Sequence, residues 1–464
     1  MTFDVRLGLA IAAGKMSALS IRRLGRGGGT ALPGIVSNTI DNDILDKLAT
    51  RVPGGCVVVA GTNGKTTTSR ILAEILERSG LRVIHNRSGS NLVRGITAAF
   101  TEQVSVSGQP SGQIAVIETD EAALPEIVRR TKPRLIVLLN LFRDQLDRYG
   151  ELDTIARMWR ETLDGLDSSQ TLLINADDPA LAAISEDSPA TRLTFGFQEC
   201  AHTLDHLPHA ADAAVCRRCG ATLTYDELYL SHLGAYHCMQ CGYRRPTLDY
   251  GATDIQLYGL ESGHLALGTG EDALEIDAEL PGLYNLYNVA AAAGAALTLG
   301  MPGWVVKAGI GEFKAAFGRI ERVEIDNRQL VLMLIKNPTG FNEVLRTLAM
   351  SAMTDPVMIV INDLDADGRD VSWLWDVDAE HLAEVDAPLY TAGIRSGDMA
   401  VRLKYAGISP ERITPLGDLD GALDRFIEAI PEEGTAFVLP TYTAMLRLRE
   451  LLYQRGVVQM FWEQ

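Results

Sequence analysis

A lysine and three threonines follow a glycine-containing loop and an apolar run in Val57–Thr68 (VVVAGTNGKTTT). A loop of this kind between a buried strand and a helix can bind a phosphate chain through backbone N–H groups. Lys65 would add positive charge and Thr66 a hydroxyl for Mg²⁺, although Val59 stands where the GxxxxGK[ST] pattern has its first glycine. A plain glycine turn with an exposed lysine is the alternative. The predicted nucleotide-binding residues here are Gly61, Thr62, Asn63, Gly64, Lys65, Thr66 and Thr67.

Glu118 closes the next apolar run, IAVIE, and begins an acidic turn with Asp120 and Glu121. A carboxylate at a strand end beside a phosphate-binding loop can hold Mg²⁺, directly or through water. We therefore predict catalytic roles for Lys65 and Glu118, and a magnesium site at Thr66 and Glu118. A solvated acidic turn is the alternative interpretation.

Two further apolar runs lead into polar segments, Asn140–Gly150 and Asn175–Pro179. Either segment alone could be a capped loop. Because the carboxyl ends of parallel strands share one edge of a sheet, four polar strand ends together favour a binding site at that edge.

Four cysteines form two CxxC pairs separated by 18 residues, with a glycine after each pair. Two such knuckles are typical of a zinc ribbon, in which four thiolates fill a closed tetrahedral site. The predicted zinc ligands are Cys216, Cys219, Cys238 and Cys241, and paired thiols without metal are the alternative. We expect His232 and His237, which lie nearby, to face solvent rather than bind the metal.

Alternating apolar runs and helix-period segments predict a doubly wound α/β fold. The predicted parallel strands of the first part are 56–60, 114–118, 135–139 and 171–175. The segment Thr66–Ser79 has helical spacing and ends at Gly80, and the Ala-rich segment 281–300 predicts another helix. The strands predicted near the C-terminus are 356–363, 387–393 and 435–442.

Changes in composition suggest three parts. Residues 1–40 are interpreted as an N-terminal helix and a linker ending near Pro33-Gly34, and residues 41–317 as an ATP-binding central domain. The cysteine-rich segment 198–250 is an insertion in that domain. Residues 318–464 are interpreted as a C-terminal doubly wound α/β domain, after a hinge near Gly318.

The chain of 464 residues has ordinary globular composition and a formal net charge of −18. The acidic balance argues against a nucleic-acid partner, because phosphate backbones attract basic surfaces. No apolar run approaches the roughly 20 residues needed to span a bilayer, and the N-terminal apolar run is a poor signal peptide. We therefore expect a cytoplasmic protein.

Together these stretches resemble the Mur ligase superfamily, ATP-dependent amide ligases of peptidoglycan synthesis. The resemblance covers most of the chain, including GTNGKTTT, NLFRDQLDRYGE, LINADDP, GLYNLYN and GRIERVE. It implies a Mur-ligase-like central domain, with ATP and Mg²⁺ as cofactors. It also implies transfer of the γ-phosphoryl group to a substrate carboxylate, followed by attack of an amine. Three more nucleotide-binding residues are implied, Asn285, Asn288 and Arg319.

Two features depart from the amino-acid-adding members of that superfamily. Gln145 stands where those members have a histidine. They also use a carbamylated lysine to help hold a second Mg²⁺, whereas no lysine lies between Lys132 and Lys307 here.

A Mur ligase core with an inserted Cys₄ ribbon resembles the MurT family, the ligase subunits of lipid II isoglutaminyl synthase. Such subunits pair with a glutaminase, GatD, and amidate the α-carboxyl of D-glutamate in the lipid II stem peptide, with glutamine as the nitrogen source. The resemblance therefore implies a GatD-like partner and peripheral contact with lipid II at the inner face of the membrane. No cysteine of the chain lies in a glycine-flanked nucleophile elbow, so the chain shows no means of releasing ammonia itself.

Asp370 lies in the segment Ala366–Trp373, in a glycine-containing loop after a predicted strand. Cys-His glutaminases need a third group that orients the histidine. The resemblance suggests that this loop faces the partner, and we predict that Asp370 completes the partner's catalytic triad. A turn aspartate that caps its own backbone is the alternative.

Two other functions remain open at this point. The chain could be a Mur-type or folylpolyglutamate-type ligase that adds an amino acid rather than ammonia. It could also be a P-loop regulator whose ribbon binds nucleic acid or a protein, since the ribbon contains four arginines, Arg217, Arg218, Arg244 and Arg245.

Overall fold

The structure, a computed structural model, describes residues 4–23, 31–86, 90–143, 152–208, 211–270, 272–313, 320–350 and 354–458. Its helices are α1 (Val5–Arg23), α2 (Leu32–Ile40), α3 (Ile44–Ala49), α4 (Lys65–Arg78), α5 (Val93–Glu102), α6 (Leu124–Thr131), α7 (Leu152–Asp164), α8 (Pro179–Ile184), α9 (Leu283–Thr298), α10 (Gly303–Gly311), α11 (Pro338–Met350), α12 (Ser396–Tyr405), α13 (Leu419–Ala429) and α14 (Tyr442–Gln454). Short 3₁₀ turns occupy Ser372–Asp376, Ala379–Leu382 and Pro410–Arg412.

The strands fall into three sheets of nine, six and two strands. They are β1 (Cys56–Ala60), β2 (Val83–His85), β3 (Ile114–Glu118), β4 (Leu135–Leu138), β5 (Thr171–Asn175), β6 (Thr191–Phe197), β7 (Thr224–Leu230), β8 (Leu233–His237), β9 (Tyr250–Tyr258), β10 (Ser262–Gly268), β11 (Ala273–Ala278), β12 (Ile320–Ile325), β13 (Arg328–Met333), β14 (Val357–Val360), β15 (Leu389–Ala392), β16 (Ile413–Gly417) and β17 (Thr435–Pro440). The strands predicted from the sequence are confirmed to within a few residues, as is helix α4.

The nine-stranded sheet has the order β11-β10-β9-β6-β5-β4-β1-β3-β2. From β2 to β9 the neighbouring strands are parallel, and β10 and β11 extend the sheet in antiparallel fashion. Every residue of β1 is buried, because helices cover both faces of the sheet. Val58 and Ala60 face the cluster that includes α6 and α7, whereas Val57 and Val59 face α4 and α9. The carboxyl ends of β1, β3, β4 and β5 therefore share one edge.

The segment predicted to be one helix and a linker carries two helices. Pro33 lies in the first turn of α2. Backbone N–H groups in the first turn have no carbonyl partner within the helix, so the missing N–H of proline costs no hydrogen bond there. Gly34 brings α2 against α5, because a Cβ there would lie 1.8 Å from the carbonyl oxygen of Arg94. The Pro-Gly pair that favours a linker in the sequence instead begins a helix and permits close helix packing. Within the ranges described, no helix is long and apolar enough to cross a membrane.

The C-terminal residues form a second α/β unit around the six-stranded sheet, ordered β12-β13-β17-β14-β15-β16. Its strands are parallel except for β12, which pairs antiparallel with β13 at one edge. Apolar clusters cover both faces of this sheet, as expected for a doubly wound unit. The doubly wound α/β architecture predicted for this part of the chain is confirmed.

Helix α11 joins this unit to the rest of the chain. Arg346 donates hydrogen bonds to the carbonyl oxygens of His202 and Tyr229, the latter at 2.7 Å. One turn earlier on the same helix, Glu343 is buried. Burial raises the pKa of Glu343 from its usual 4.5 to about 7, although Arg346 acts in the opposite direction, and Asp378 raises it further. This carboxyl group is therefore substantially protonated near neutral pH in the folded protein.

This raised pKa predicts a pH-dependent stability. Below pH 4.5 the Glu343 carboxyl is protonated in both the folded and the unfolded state. Between pH 4.5 and about 7 only the folded state retains the proton. The free energy of unfolding therefore falls as the pH rises through that window. Glu343→Gln should remove this component, which amounts to at most roughly 3 kcal/mol. Urea unfolding of both proteins at the two ends of the window measures the difference. An identical pH dependence in the two proteins would contradict the prediction.

Candidate functional site

The loop between β1 and α4 lies at the shared edge of the parallel strands. Gly64 ends this loop with a φ of +87°, a conformation that strains residues with a side chain. A Cβ at Gly64 would also lie 2.0 Å from Oδ1 of Asn288 on α9. Helix α4 begins directly afterwards at Lys65, so its first backbone N–H groups point out of the sheet edge. The local structure is that of a phosphate-binding loop.

Lys65 is buried and its ammonium group contacts the loop that carries it. Its Nζ donates to the carbonyl oxygens of Gly61 and Thr62, the latter at 2.9 Å, and lies 3.1 Å from Oε1 of Glu121. The carboxylate that pairs with the lysine is thus Glu121, a residue for which sequence analysis predicted no role. Its position three residues after Glu118 in the acidic turn was the available signal. A bound phosphate would offer the same ammonium group stronger acceptors.

Thr66 and Glu118 meet as the sequence predicted. The hydroxyl of Thr66 donates to Oε1 of Glu118 at 3.0 Å. Asn86 fixes the glutamate from the other side, since its Nδ2 donates to the Glu118 carbonyl at 2.8 Å and its Oδ1 accepts from the Glu118 N–H at 2.9 Å. A hydroxyl and a carboxylate oxygen are donors that Mg²⁺ prefers, so this pair fits a magnesium site.

The end of β4 holds the phosphate-binding loop in place. The Asn140 side chain accepts from the N–H of Asn63 at 2.8 Å and donates to the Asn63 carbonyl at 3.0 Å. Thr62 forms a similar reciprocal pair with the backbone of Phe142, each at 3.0 Å. The third predicted strand end therefore positions the loop. Residues 144–151 of that segment, including Gln145, lie outside the described residues.

Of the three further nucleotide-binding residues implied by resemblance, two lie on α9 behind the loop. Asn288 accepts from the Thr68 hydroxyl at 3.4 Å and donates to Asn285 at 3.2 Å, and Asn285 in turn donates to the Pro281 carbonyl at 2.8 Å. Both asparagines are buried. Arg319 lies outside the described residues.

The C-terminal unit reaches the same loop through Asn337, which sequence analysis did not single out. Nδ2 of Asn337 donates to Oδ1 of Asn63 at 3.0 Å, and Oδ1 of Asn337 accepts from the N–H of Gly340 at 2.8 Å. The contact spans 274 residues of sequence. The only local feature of Asn337 is its position immediately before Pro338, the first residue of α11.

A cleft lies between the phosphate-binding loop, α9, the β7–β8 hairpin and α11. Apolar and aromatic side chains form most of its walls and a few amides point into it, which is typical of a small-molecule site. Its lining includes Asn63, Gly64, Asn140, Phe142, Leu230, Leu233, Tyr284, Tyr287, Asn288, Thr339, Gly340, Glu343 and Val344.

The fourth strand end has a structural role. Asp178 caps α8, accepting from the N–H groups of Ala180 and Leu181 at 2.8 and 3.2 Å. Asp177 is fully buried and pairs with Arg245 of the ribbon at 2.8 Å and with the Tyr287 hydroxyl at 2.7 Å. The carboxylates of this segment are therefore committed to a helix cap and to tertiary contacts, which agrees with the capped-loop alternative given for it from the sequence.

The four cysteines converge. Their sulfur atoms all lie within 4.8 Å of one another, with Cys216 and Cys241 at 3.6 Å and Cys219 and Cys238 at 3.5 Å. Tetrahedral Zn–S bonds of about 2.3 Å place sulfur atoms roughly 3.8 Å apart, so this cluster fits a zinc ion. Each knuckle closes with a glycine of positive φ, at Gly220 and Gly242.

The ribbon's surroundings correct two sequence expectations. His232 is buried rather than solvent-facing, with Nε2 3.5 Å from Asp178 and its ring 4.7 Å from that of Phe142. The arginines of the ribbon do not form an open basic patch, because acidic side chains of the central domain face three of them. These pairs are Arg217 with Asp153, Arg218 with Glu186 and Arg245 with Asp177.

Asp370 is exposed on the C-terminal unit. Its Oδ1 accepts from the N–H of Ser372 at 2.8 Å, and this hydrogen bond lowers the pKa of the Asp370 carboxyl. The residue caps its own turn and also presents an ionised carboxylate to solvent. The two interpretations given for it from the sequence are therefore compatible.

Comparisons with known proteins agree with this architecture. Residues 59–216 match the family model of the Mur ligase middle domain, and residues 334–445 that of the MurT ligase C-terminal domain. The chain is 34% identical over 458 residues to the MurT subunit of lipid II isoglutaminyl synthase (glutamine-hydrolyzing) from Streptococcus pneumoniae, covering 98% of this chain and 99% of that protein. The corresponding subunit from Staphylococcus aureus strain COL is 32% identical, with coverage of 96% and 97%.

Among solved structures, a pseudomurein peptide ligase type C from Methanothermus fervidus superposes with a TM-score of 0.68 at 20% identity, covering 88% of this chain and 80% of that one. This likeness shows the Mur ligase fold. The identity over nearly the whole length of the relatives shows the family. The chain therefore belongs to the MurT family of Mur ligases and is an ATP-dependent ligase.

Proposed function

We propose that the chain is the ligase subunit of a lipid II isoglutaminyl synthase, which amidates the α-carboxyl of D-glutamate in the lipid II stem peptide to D-isoglutamine. The reaction class rests on one observation, the convergence of Lys65, Thr66 and Glu118 at the phosphate-binding loop. The assignment of the substrate rests on the relatives. They are named as subunits of lipid II isoglutaminyl synthase, and their similarity covers nearly the full length of this chain.

ATP would lie with its phosphates on the loop Gly61–Thr67 and its base in the adjoining cleft. The cleft begins at Asn63 and Gly64 and continues past Asn288 towards the aromatic rings of Tyr284 and Tyr287. Those rings and the apolar walls can bury a planar base, and the amides can orient it. Asn285 supports this surface through its hydrogen bond to Asn288.

Thr66 and Glu118 would hold Mg²⁺, which when bound neutralises charge on the β- and γ-phosphates. Lys65 would exchange its present acceptors for phosphate oxygens and stabilise the charge of the transferring group. The γ-phosphoryl group passes to the glutamate carboxylate and gives an acyl phosphate. Ammonia then attacks the carbonyl carbon, inorganic phosphate leaves, and the amide remains.

A partner must supply the ammonia, since the six cysteines are poorly suited to attack glutamine. Cys56 is buried in β1, and burial raises the pKa of its thiol to about 12. Burial also raises the pKa of Cys200. Only the thiolate is nucleophilic, so neither residue is activated, and the other four converge in the ribbon. We propose a GatD-like glutaminase as the partner and a cytoplasmic location, with lipid II reached from the inner face of the membrane.

Asp370 would act in that partner's reaction. An exposed, ionised carboxylate held by a backbone hydrogen bond can orient the histidine of a Cys-His pair across an interface. Such a residue makes glutamine hydrolysis depend on docking to the ligase subunit.

Zinc at the cysteine cluster would be structural, because four thiolates leave no position open for substrate. The ribbon nevertheless contacts the central domain through Arg245 and through Tyr243, whose hydroxyl donates to the Pro179 carbonyl at 2.7 Å. Its hairpin also supplies Leu230 and Leu233 to the cleft. Zinc loss should therefore affect ATP turnover only indirectly.

The amino-acid-adding alternative makes a different demand on the site. An added amino acid needs a pocket for its own carboxylate, whereas ammonia needs none. Replacing glutamine by ammonium salts in the assay separates the two, because amidation by ammonia alone supports the proposal. A requirement for a free amino acid would favour the alternative.

Lys65→Ala and Glu118→Ala should each lower amidation about a thousandfold or more, even when ammonia is supplied directly. Both side chains act on phosphoryl transfer, before nitrogen arrives. The assay is formation of the amidated stem peptide, measured by mass spectrometry. Matched controls are Lys307→Ala and Glu261→Ala, which alter exposed side chains elsewhere. Near-normal activity of either site variant would remove that residue from the mechanism.

One tightly bound zinc ion per chain is expected, and the double change Cys216→Ser and Cys219→Ser should abolish it. Two hydroxyls replace thiolates in a four-ligand site, which removes half of the metal–ligand bonds. Metal analysis of the purified protein measures the content. Cys200→Ser serves as the control and should retain the ion, because Cys200 is outside the cluster. Zinc retained by the double variant would refute the assignment.

Asp370→Asn should lower glutamine-dependent amidation roughly a hundredfold or more and leave ammonia-dependent amidation unchanged. Asparagine can keep the hydrogen bond from Ser372 but cannot stabilise an imidazolium. Asp365→Asn is the matched control, since this exposed carboxylate of the same loop pairs with Arg369. Wild-type use of glutamine by the Asp370→Asn complex would show that the residue is only a turn cap.

A further inference from the structure

Helix α1 is apolar around most of its circumference but is packed on one side only. Its inner face is buried and comprises Leu7, Ala10, Ile11, Gly14 and Ala18. Its outer stripe, defined as Val5, Leu9, Met16 and Leu19, is exposed at 61%, 60%, 62% and 54%. Successive residues of an α-helix are rotated by about 100° around its axis, so these four side chains lie within an arc of about 80°. A helix that is apolar on an unpacked face indicates a surface that binds something apolar.

Helix α1 is linked through α2 and α5 to a segment that contacts the edge of the sheet carrying Glu118. The carbonyl of Ala10 accepts from Ser37 at 3.1 Å, and Gly14 packs against Pro33, so α1 runs antiparallel to α2. The beginning of α2 in turn lies against the beginning of α5. Just before α5, the carbonyl of Asn91 accepts from the N–H of Asp120, beside the site. Helices α1 and α2 therefore pack with α5, the helix that follows this contact in the chain.

The charge of α1 is opposite to that of the chain. The helix contains four basic residues, Arg6, Lys15, Arg22 and Arg23, and no acidic one, whereas the chain has a net charge of −18. Arg6 and Lys15 donate to the backbone carbonyls of Ile40 and Glu102 at 2.7 and 2.9 Å, and a carbonyl does not cancel their charge. Basic side chains flanking an apolar stripe are typical of helices that lie on anionic bilayers.

We propose that the outer stripe of α1 docks on the anionic surface of the bilayer that carries the lipid-linked substrate. The four apolar side chains enter the boundary between headgroups and acyl chains, and Arg6 and Lys15 contact lipid phosphates. This docking would present the phosphate-binding edge to a stem peptide that projects from the membrane. The inference rests on the proposed function, since it assumes a lipid-anchored substrate.

The first test is vesicle flotation of the full complex with the double change Leu9→Ser and Met16→Ser. Wild-type protein should float with vesicles of phosphatidylglycerol and phosphatidylcholine in equal parts, and binding should weaken with salt and on phosphatidylcholine alone. The double variant should bind at least about tenfold more weakly, because two exposed apolar side chains are lost. Trp304→Ser, which removes a side chain 73% exposed on α10, should bind normally.

Three results of these binding experiments would overturn the proposal. The first is failure of wild-type protein to float with the mixed vesicles, and the second is binding of the double variant as tight as that of wild type. The third result is loss of the glutaminase subunit, or a change of oligomeric state, in the double variant on size exclusion with light scattering. That result would make the stripe a protein interface. An unchanged urea midpoint shows that the variant is folded.

Amidation assays separate this proposal from the function on which it rests. The double variant should amidate lipid II in mixed vesicles at least about tenfold more slowly than wild type. It should amidate a water-soluble stem-peptide fragment at the wild-type rate. Equal losses on both substrates would place the stripe in the ligase machinery and overturn membrane docking. If wild-type protein amidates neither substrate, the proposed function fails, and vesicle binding is judged by flotation alone.

Discussion

A single buried carboxylate, Asp177, ties the parts of the central domain together. Burial raises its pKa, and Arg245 counteracts this most strongly, followed by hydrogen bonds from the Phe197 N–H and the Tyr287 hydroxyl. A fully buried charge costs several kcal/mol unless its partners are all in place. Those partners come from the ribbon, from β6 and from α9, so the carboxylate is satisfied only when these three elements are assembled around β5. Its own carbonyl adds a fourth contact, with Gly234 of the ribbon hairpin.

The walls of the cleft depend on this assembly. The ribbon's hairpin and α9 form two of its walls, and both are anchored at Asp177. The ring of Tyr287 also stacks on Phe197 with centroids 3.8 Å apart, so the hydroxyl and the ring fix the same side chain. The cysteine cluster is therefore relevant to the ligase site without contacting it. The ribbon that contains the cluster supplies both the arginine and part of the wall.

The sequence was sufficient to predict the elements whose signals are local. Apolar runs such as Cys56–Ala60, the glycine at position 64 and the CxxC spacing each determine their own neighbourhood. The sequence was misleading where the same residue type can serve either a binding site or the internal packing of the fold. Asp177 resembles a ligand until its partner Arg245, 68 residues away, is seen. Asn337 is inconspicuous for the same reason, because its role follows from a contact between the two sheets. Long-range pairing is set by the packing of whole elements, which no short motif encodes.

The pairing of Asn63 with Asn337 has a consequence for how the two halves work together. Asn63 belongs to the loop that would receive the phosphates, and Asn337 precedes the helix that bears Glu343 and Arg346. In the present arrangement the loop's polar groups are satisfied by protein partners, with the ammonium of Lys65 on Glu121 and on backbone carbonyls. A nucleotide that takes over these groups competes with both sets of contacts. Under the proposed function, nucleotide binding would therefore be coupled to the position of the C-terminal unit, which also carries Asp370.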